Sequence, residues 1–388
     1  MEIRLAIVGM GAAARQIVPA VEKAPGIRLV AVCDPLAEVR EAVATRYGIR
    51  GVADIETLLA SDDVDAVYIA TPTDLHARHV IAAAGAGKHV LCEKPMATTL
   101  DEAQAMIDAA DRAGVTFNVG HSHSYDEPYR AMRELIASGE LGRAWQMHTM
   151  YFTDWVYRPR RPAELETSLG GGVAFRQGAH QFDILRLLGG GMVKSVRAQT
   201  FDWDPERPVI GAYSAFLTFE DGTVATALYN GYGAFLSSEL TFGAAEIGER
   251  QISIPGKSRA EMKAASPEAE AKAKRARAAG PIEEKLAPYQ PFFGWTVVSC
   301  EGGDIRQSQT GLYVYTERGR EERPLRLDCT TRDPVIEEFV DTIAGRRRAL
   351  HDGRWARANL EVCVATIESG RTGKEIVLQH QVPVPAGT

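Results

Sequence analysis

Gly9-x-Gly11-x-x-Ala14, followed twenty positions later by Asp34, has the residue types and spacing to hold a dinucleotide. Gly9 suits a tight turn, Gly11 lacks the Cβ that would keep a pyrophosphate from the backbone, and Ala14 lets a helix lie close to a sheet. The phosphates would rest on N–H groups of the first helical turn, around Met10, Ala12 and Ala13. Asp34 can bond ribose hydroxyls and repels a 2′-phosphate, which favours NAD, while Arg40 downstream keeps NADP open. Two other stretches carry unusual chemistry. His121 and His123 stand two apart, and hydrogen bonding to a substrate and plain packing are both open readings; no Cys or acid accompanies them at zinc spacing. Tyr157-Arg158-Pro159-Arg160-Arg161-Pro162 concentrates cations, either as an anion grip or as a solvated face.

The elements needed to position these groups follow from periodicity. Apolar runs at residues 3–8, 28–33, 66–69, 89–92 and 116–119 read as strands, with helical patterns between them at 12–23, 36–47, 55–59 and 75–84. Thr99-Leu100-Asp101-Glu102 is a capping box opening another helix, which stops at Gly114. This alternation predicts a doubly wound parallel sheet over residues 1–122. Beyond it the pattern changes to longer strands at 144–152, 193–202, 212–219, 223–230, 292–300 and 311–315. Helices at 128–138, 334–344 and 354–369 accompany them, predicting an α+β domain over 123–388 with a mostly antiparallel sheet. Residues 257–285 are rich in Ala, Lys, Glu and Arg and read as an exposed helical insertion.

Bulk properties narrow the class. A chain of 388 residues exceeds one ordinary core. A net charge of −7 offers no dominant basic face for nucleic acid, yet leaves room for a local arginine cluster around a small anion. Five scattered cysteines without C-x-x-C spacing suit reduced thiols, and neither a signal peptide nor a membrane-length apolar run is seen. A cytoplasmic enzyme is expected.

Ala70-Thr71-Pro72 and Glu93-Lys94-Pro95 follow two of the parallel strands, on the edge where such sheets bind ligands. Together with Gly9–Ala14, His76, Gly87-Lys88-His89-Val90-Leu91-Cys92 and the Gly170-Gly171-Gly172 and Gly178-Ala179-His180 segments, they resemble the Gfo/Idh/MocA oxidoreductases over nearly the whole chain. The resemblance implies Lys94 as the catalytic lysine, with Glu93, Thr71, Pro72 and His76 on the cofactor side, Pro95 in a rigid turn, and a homodimer or homotetramer. Hydride loss from a carbinol requires its hydroxyl proton to leave, and a lysine with a lowered pKa can take it. His180 is the second candidate base, with Asp183 either orienting it or capping a helix. Many relatives carry a carboxylate four residues before this histidine; here Arg176 stands in its place, so a carboxylated substrate becomes the expectation and a sugar or inositol the alternative. A noncatalytic NAD-binding regulator is the third reading, disfavoured by Lys94 and His180. Within the family, the stretches around His121, Arg158 and Arg176 are similar to the 4,5-dihydroxyphthalate (phthalate cis-dihydrodiol) dehydrogenase subgroup.

Overall fold

The structure, a computed structural model, describes residues 2–251, 254–279 and 287–386. Ile3–Val8 (β1), Ile27–Cys33 (β2), Arg50–Val52 (β3), Ala66–Ile69 (β4), His89–Cys92 (β5) and Phe117–Val119 (β6) form a parallel sheet in the order β3-β2-β1-β4-β5-β6. This is the Rossmann order, and its reversal point lies between β1 and β4. β1, β4 and β5 are nearly continuous apolar runs because helices cover both faces. The helix Ala12–Lys23 buries Ala14, Ile17, Val18 and Val21, which is why the glycine turn ahead of it stands against the sheet edge.

Ala144–Phe152 (β7), Val193–Phe201 (β8), Ala212–Phe219 (β9), Val224–Asn230 (β10), Trp295–Cys300 (β11), Gly303–Gln307 (β12), Gly311–Thr316 (β13), Gly319–Pro324 (β14) and Ile376–Val377 (β15) form a second sheet. Its order is β14-β13-β12-β11-β7-β10-β9-β8-β15, and the β10–β7 pair is parallel while the others are antiparallel. The large, mostly antiparallel sheet is thus as expected. Helices Gly178–Leu188 and Gly353–Thr372 pack against this sheet, and the latter also touches helix Leu100–Ala113 of the first layer.

Two expectations change in detail. Helix Asp333–Ile343, expected with the second sheet, buries Val335, Ile336, Phe339 and Val340 in one cluster with Ile3, Leu5, Val18 and Ile27. The chain therefore returns to the Rossmann side. Within the expected insertion, helices Lys257–Ala264 and Pro267–Ala279 are seen, and residues 280–285 lie outside the described residues. These helices are tethered rather than free. Ser258 bonds Asp154, Glu270 pairs with Arg207 at 2.8 Å, and Lys274 pairs with Glu164 at 2.8 Å. A cavity of about 340 Å³ lies between them and Tyr157–Arg158–Pro159.

Candidate active site

The glycine turn has the geometry of a phosphate cradle. Gly9 adopts φ 88°, and a Cβ there would come within 2.9 Å of the Ala70 carbonyl oxygen, so both conformation and space require glycine. Gly11 precedes Ala12 and Ala13 with no side chain capping the helix, and a Cβ built on it meets only the Ala70 oxygen, at 4.0 Å. This leaves room beside Gly11 and an uncapped helix start, which fits a dinucleotide pyrophosphate. Met10 is placed differently from the expectation: its side chain is buried and its N–H donates to Asp34 Oδ2 at 2.9 Å. Asp34 Oδ1 accepts from Leu36 N at 2.9 Å, so this carboxylate first fixes the turn and has lone pairs left for ribose hydroxyls. Arg40 is tied to the Asp34 carbonyl at 2.8 Å.

The loops after β4 and β5 are lashed together by His76, whose ring nitrogens approach the Thr71 carbonyl at 2.9 Å and the Pro95 carbonyl at 3.0 Å. With both nitrogens on protein carbonyls, His76 braces the cofactor edge and leaves the ring no free atom for a cofactor. Thr71 Oγ1 meets His79 Nδ1 at 3.1 Å, Pro72 starts the next turn, and the Lys94–Pro95 peptide is cis.

Lys94 Nζ sits 3.4 Å from the Arg176 carbonyl. Burial lowers its pKa to about 8, against the pull of Glu93 and with the help of Arg176. Glu93 itself is buried and accepts from the Tyr68 hydroxyl at 2.5 Å, with Arg332 Nη1 3.7 Å away. Burial disfavours its charge, but Arg332 and Lys94 outweigh that and hold it below the usual carboxylate range.

His180 stands in the first turn of helix Gly178–Leu188, buried, with no hydrogen-bond partner for Nδ1 among the described residues. Burial, then Lys94 and His123, push its pKa well below the ordinary imidazole value, so it is neutral. Its ring lies edge-on to His123 with centroids 4.6 Å apart and 5.0 Å from Phe293. His123 is held between Asp126 Oδ2 at 2.8 Å and Glu246 Oε1 at 3.2 Å. Burial opposes its charge, yet the two carboxylates raise its pKa to about 9. His121 faces the Ala179 carbonyl at 3.2 Å, and burial lowers it to about 4 despite Asp183. His351, from a distant loop, bonds Ser124 Oγ at 2.7 Å and lies 3.6 Å from Asp183.

Asp183 does not orient His180. It is fully buried and accepts from Trp355 Nε1 at 2.6 Å, anchoring one helix to another. The arginines are also more heavily paired than their clustering suggests. Arg158 donates to Asp154 at 2.6 Å, Arg160 stacks on Trp155 at 3.8 Å, and Arg161 lies 3.5 Å from Glu164. Arg176 donates to Thr73 Oγ1 at 3.1 Å and has only a loose 3.8 Å contact with Glu164, so with the half-exposed Arg161 it is less firmly ion-paired than Arg158. Sequence motifs point to none of Tyr68, Glu246, Arg332 or His351, which reach the site from separate elements.

A dinucleotide cradle at the reversal point of a parallel sheet, facing a lysine and a histidine across the strand edge, defines a nicotinamide-dependent oxidoreductase. The chain belongs to the Gfo/Idh/MocA family: residues 3–121 match its oxidoreductase model with the NAD-binding Rossmann fold, and residues 129–236 match its C-terminal domain. It is 38% identical over 378 residues to the 1-carboxy-3-chloro-3,4-dihydroxycyclohexa-1,5-diene dehydrogenase of Comamonas testosteroni, covering 95% of each chain. It is also 38% identical to the 1,5-anhydro-D-fructose reductase of Ensifer adhaerens, over 48% of this chain and 56% of that one. A crystal structure from Bordetella bronchiseptica RB50 superposes with a TM-score of 0.92 at 39% identity, covering 97% of this chain and 100% of that one. The protein is therefore an NAD-binding dehydrogenase. Among the described residues no helix is long and apolar enough to cross a membrane.

Proposed function

We propose that the protein oxidises a carbinol of a small carboxylated cyclic diol, such as the cis-dihydrodiol of phthalate, with NAD as hydride acceptor. The observation that carries this reading is Lys94, a lysine lowered to about 8 beside the buried neutral His180 and the loosely held Arg176. The cofactor supplies the hydride acceptor. Lys94 takes the hydroxyl proton as the C–H bond gives up its hydride, so the carbinol becomes a carbonyl. In a dihydrodiol that carbonyl tautomerises to the catechol, and aromatisation makes the direction effectively one-way. Arg176 receives a substrate carboxylate, for which guanidinium geometry is suited. Gly9, Gly11, Ala12, Ala13, Asp34, Thr71, Pro72 and Glu93 form the cofactor side, and His121 and His123 wall the substrate side. The Comamonas relative, whose name describes a carboxylated dihydroxy ring, supports the same substrate class.

The test is reduced-nicotinamide absorbance with NAD or NADP and phthalate cis-dihydrodiol, its uncarboxylated analogue, and sugars including inositol. Turnover confined to the carboxylated diol supports the reading. Turnover of sugars instead discards both the substrate class and the role given to Arg176.

We also propose a homodimer or homotetramer working in the cytoplasm. Exposed Trp145 and Phe216 on the second sheet support the assembly, and unpaired cysteines fit a reducing compartment. A monomeric mass by light scattering at micromolar concentration discards the assembly.

A further inference from the structure

Arg176 and Lys94 make the site strongly cationic, yet it is not without an acid. Glu246 lies on a turn fastened by the Ala244–Arg250 bridge, far from the other site residues in sequence. Its Oε1 accepts from His123, whose other nitrogen is bonded to Asp126 and whose ring edge meets His180. The imidazolium thus forms a bridge with a carboxylate at each end, and the two ends differ. Asp126 is sealed from solvent, whereas the Glu246 side chain is 32% exposed. The open end stands one imidazole ring away from His180.

We infer that Glu246 is a specificity-determining carboxylate whose second oxygen accepts a hydrogen bond from the substrate hydroxyl neighbouring the one that is oxidised. This inference rests on the diol reading above. One hydroxyl loses its proton to Lys94, and a vicinal diol then needs an acceptor for the other; every cation nearby can only donate to it. Burial works against charge on Glu246, but His123 and Arg158 hold its pKa near 2, so the acceptor stays ionised. His123 accordingly positions Glu246 rather than touching the reacting atoms.

The experiment compares the wild type, Glu246→Gln and Asp126→Asn on a carboxylated cis-dihydrodiol and on the same ring lacking the neighbouring hydroxyl, with NADH affinity read by fluorescence. Losing a charged acceptor for one hydroxyl should lower kcat/KM of Glu246→Gln about 10- to 100-fold on the diol and only a few-fold on the single alcohol. NADH affinity should be unchanged. Asp126→Asn reaches the pocket only through His123 and should slow both substrates alike. Equal losses on both substrates in Glu246→Gln overturn the inference while leaving the diol reading intact. A wild type that turns over no carboxylated diol overturns the reading and the inference with it. Should Glu246→Gln fail to bind NADH, Glu246→Asp, which withdraws the carboxylate by one methylene, must show the same selective loss.

Discussion

Lys94 and Arg176 join the two halves of the chain at the site: the lysine Nζ lies 3.4 Å from the arginine backbone carbonyl. Lys94 lies at the start of the loop after β5, and Arg176 ends the short helix Val173–Arg176 on the second-sheet side. The contact brings the candidate proton acceptor to the backbone of the candidate anion receptor. Arg176 also lowers the pKa of Lys94, so the arginine that favours an anion simultaneously favours a neutral lysine.

Replacing Lys94 with Ala should lower kcat by about 100- to 10,000-fold, the range of a lost general base, with NADH affinity largely kept. Neutral lysine is the competent form, so kcat/KM of the wild type should rise as pH passes upward through about 8. His180 is held neutral well below that range and should add no limb near pH 6.5. A flat profile between pH 7 and 9, or full turnover in Lys94→Ala, removes the lysine from the chemistry.

Arg176→Ala should raise KM for a carboxylated diol by about 10- to 100-fold, as expected when a charge-assisted hydrogen bond is lost. The uncarboxylated diol should be nearly unaffected. Equal effects on both would assign Arg176 to structure, through Thr73 and Glu164, and not to the substrate.

Sequence periodicity gives β1, β4, β5, β7 and β9 with their observed ends, because each is buried on at least one face and reads as an apolar or alternating run. It misses β3, β12, β14 and β15, β3 being three residues long. β14, Gly-Arg-Glu-Glu-Arg-Pro, is a charged edge strand whose exposure leaves no alternation to detect, and β15 has two residues. β11 starts at Trp295 and not at 292, because Gly294 with φ 81° breaks the strand. In the site, Lys94 is legible since its motif is local to one strand end. Glu246, Arg332 and His351 are not, because each arrives on a different loop with no period or spacing to mark it. Asp183 shows the opposite failure: its spacing from His180 suggests a pair, but burial against Trp355 claims its carboxylate.

Asp34 fixes the glycine turn, besides the ribose-selecting role proposed for it. Asp34→Ala removes the acceptor for Met10 N and Leu36 N, so NAD affinity should fall by about tenfold or more, the cost of an unmade buried hydrogen bond. The preference for NAD over NADP should narrow, since the repelling carboxylate is gone and Arg40 remains. Titration of both reduced cofactors by fluorescence reads the two effects separately; an unchanged NAD-to-NADP ratio would deny Asp34 the selective role.

Glu164 is the anion that keeps the arginine cluster together. It is 5% exposed and lies within 4 Å of Arg160, Arg161, Arg176 and Lys274. Burial opposes its charge, but Lys274 and Arg160 outweigh that and lower its pKa from 4.5 to about 2. Glu164→Gln leaves buried cations without a counter-charge and should destabilise the fold by about 2–4 kcal/mol, measured as a lower denaturant midpoint at pH 7. A depressed folded-state pKa contributes stability that is present above the unfolded value and lost as pH falls through the folded one. The gap between wild type and Glu164→Gln should therefore be full above pH 4.5 and shrink toward pH 2. A gap that stays constant over that range would mean that packing of the 257–279 helices, and not the charge, is what Glu164 supports.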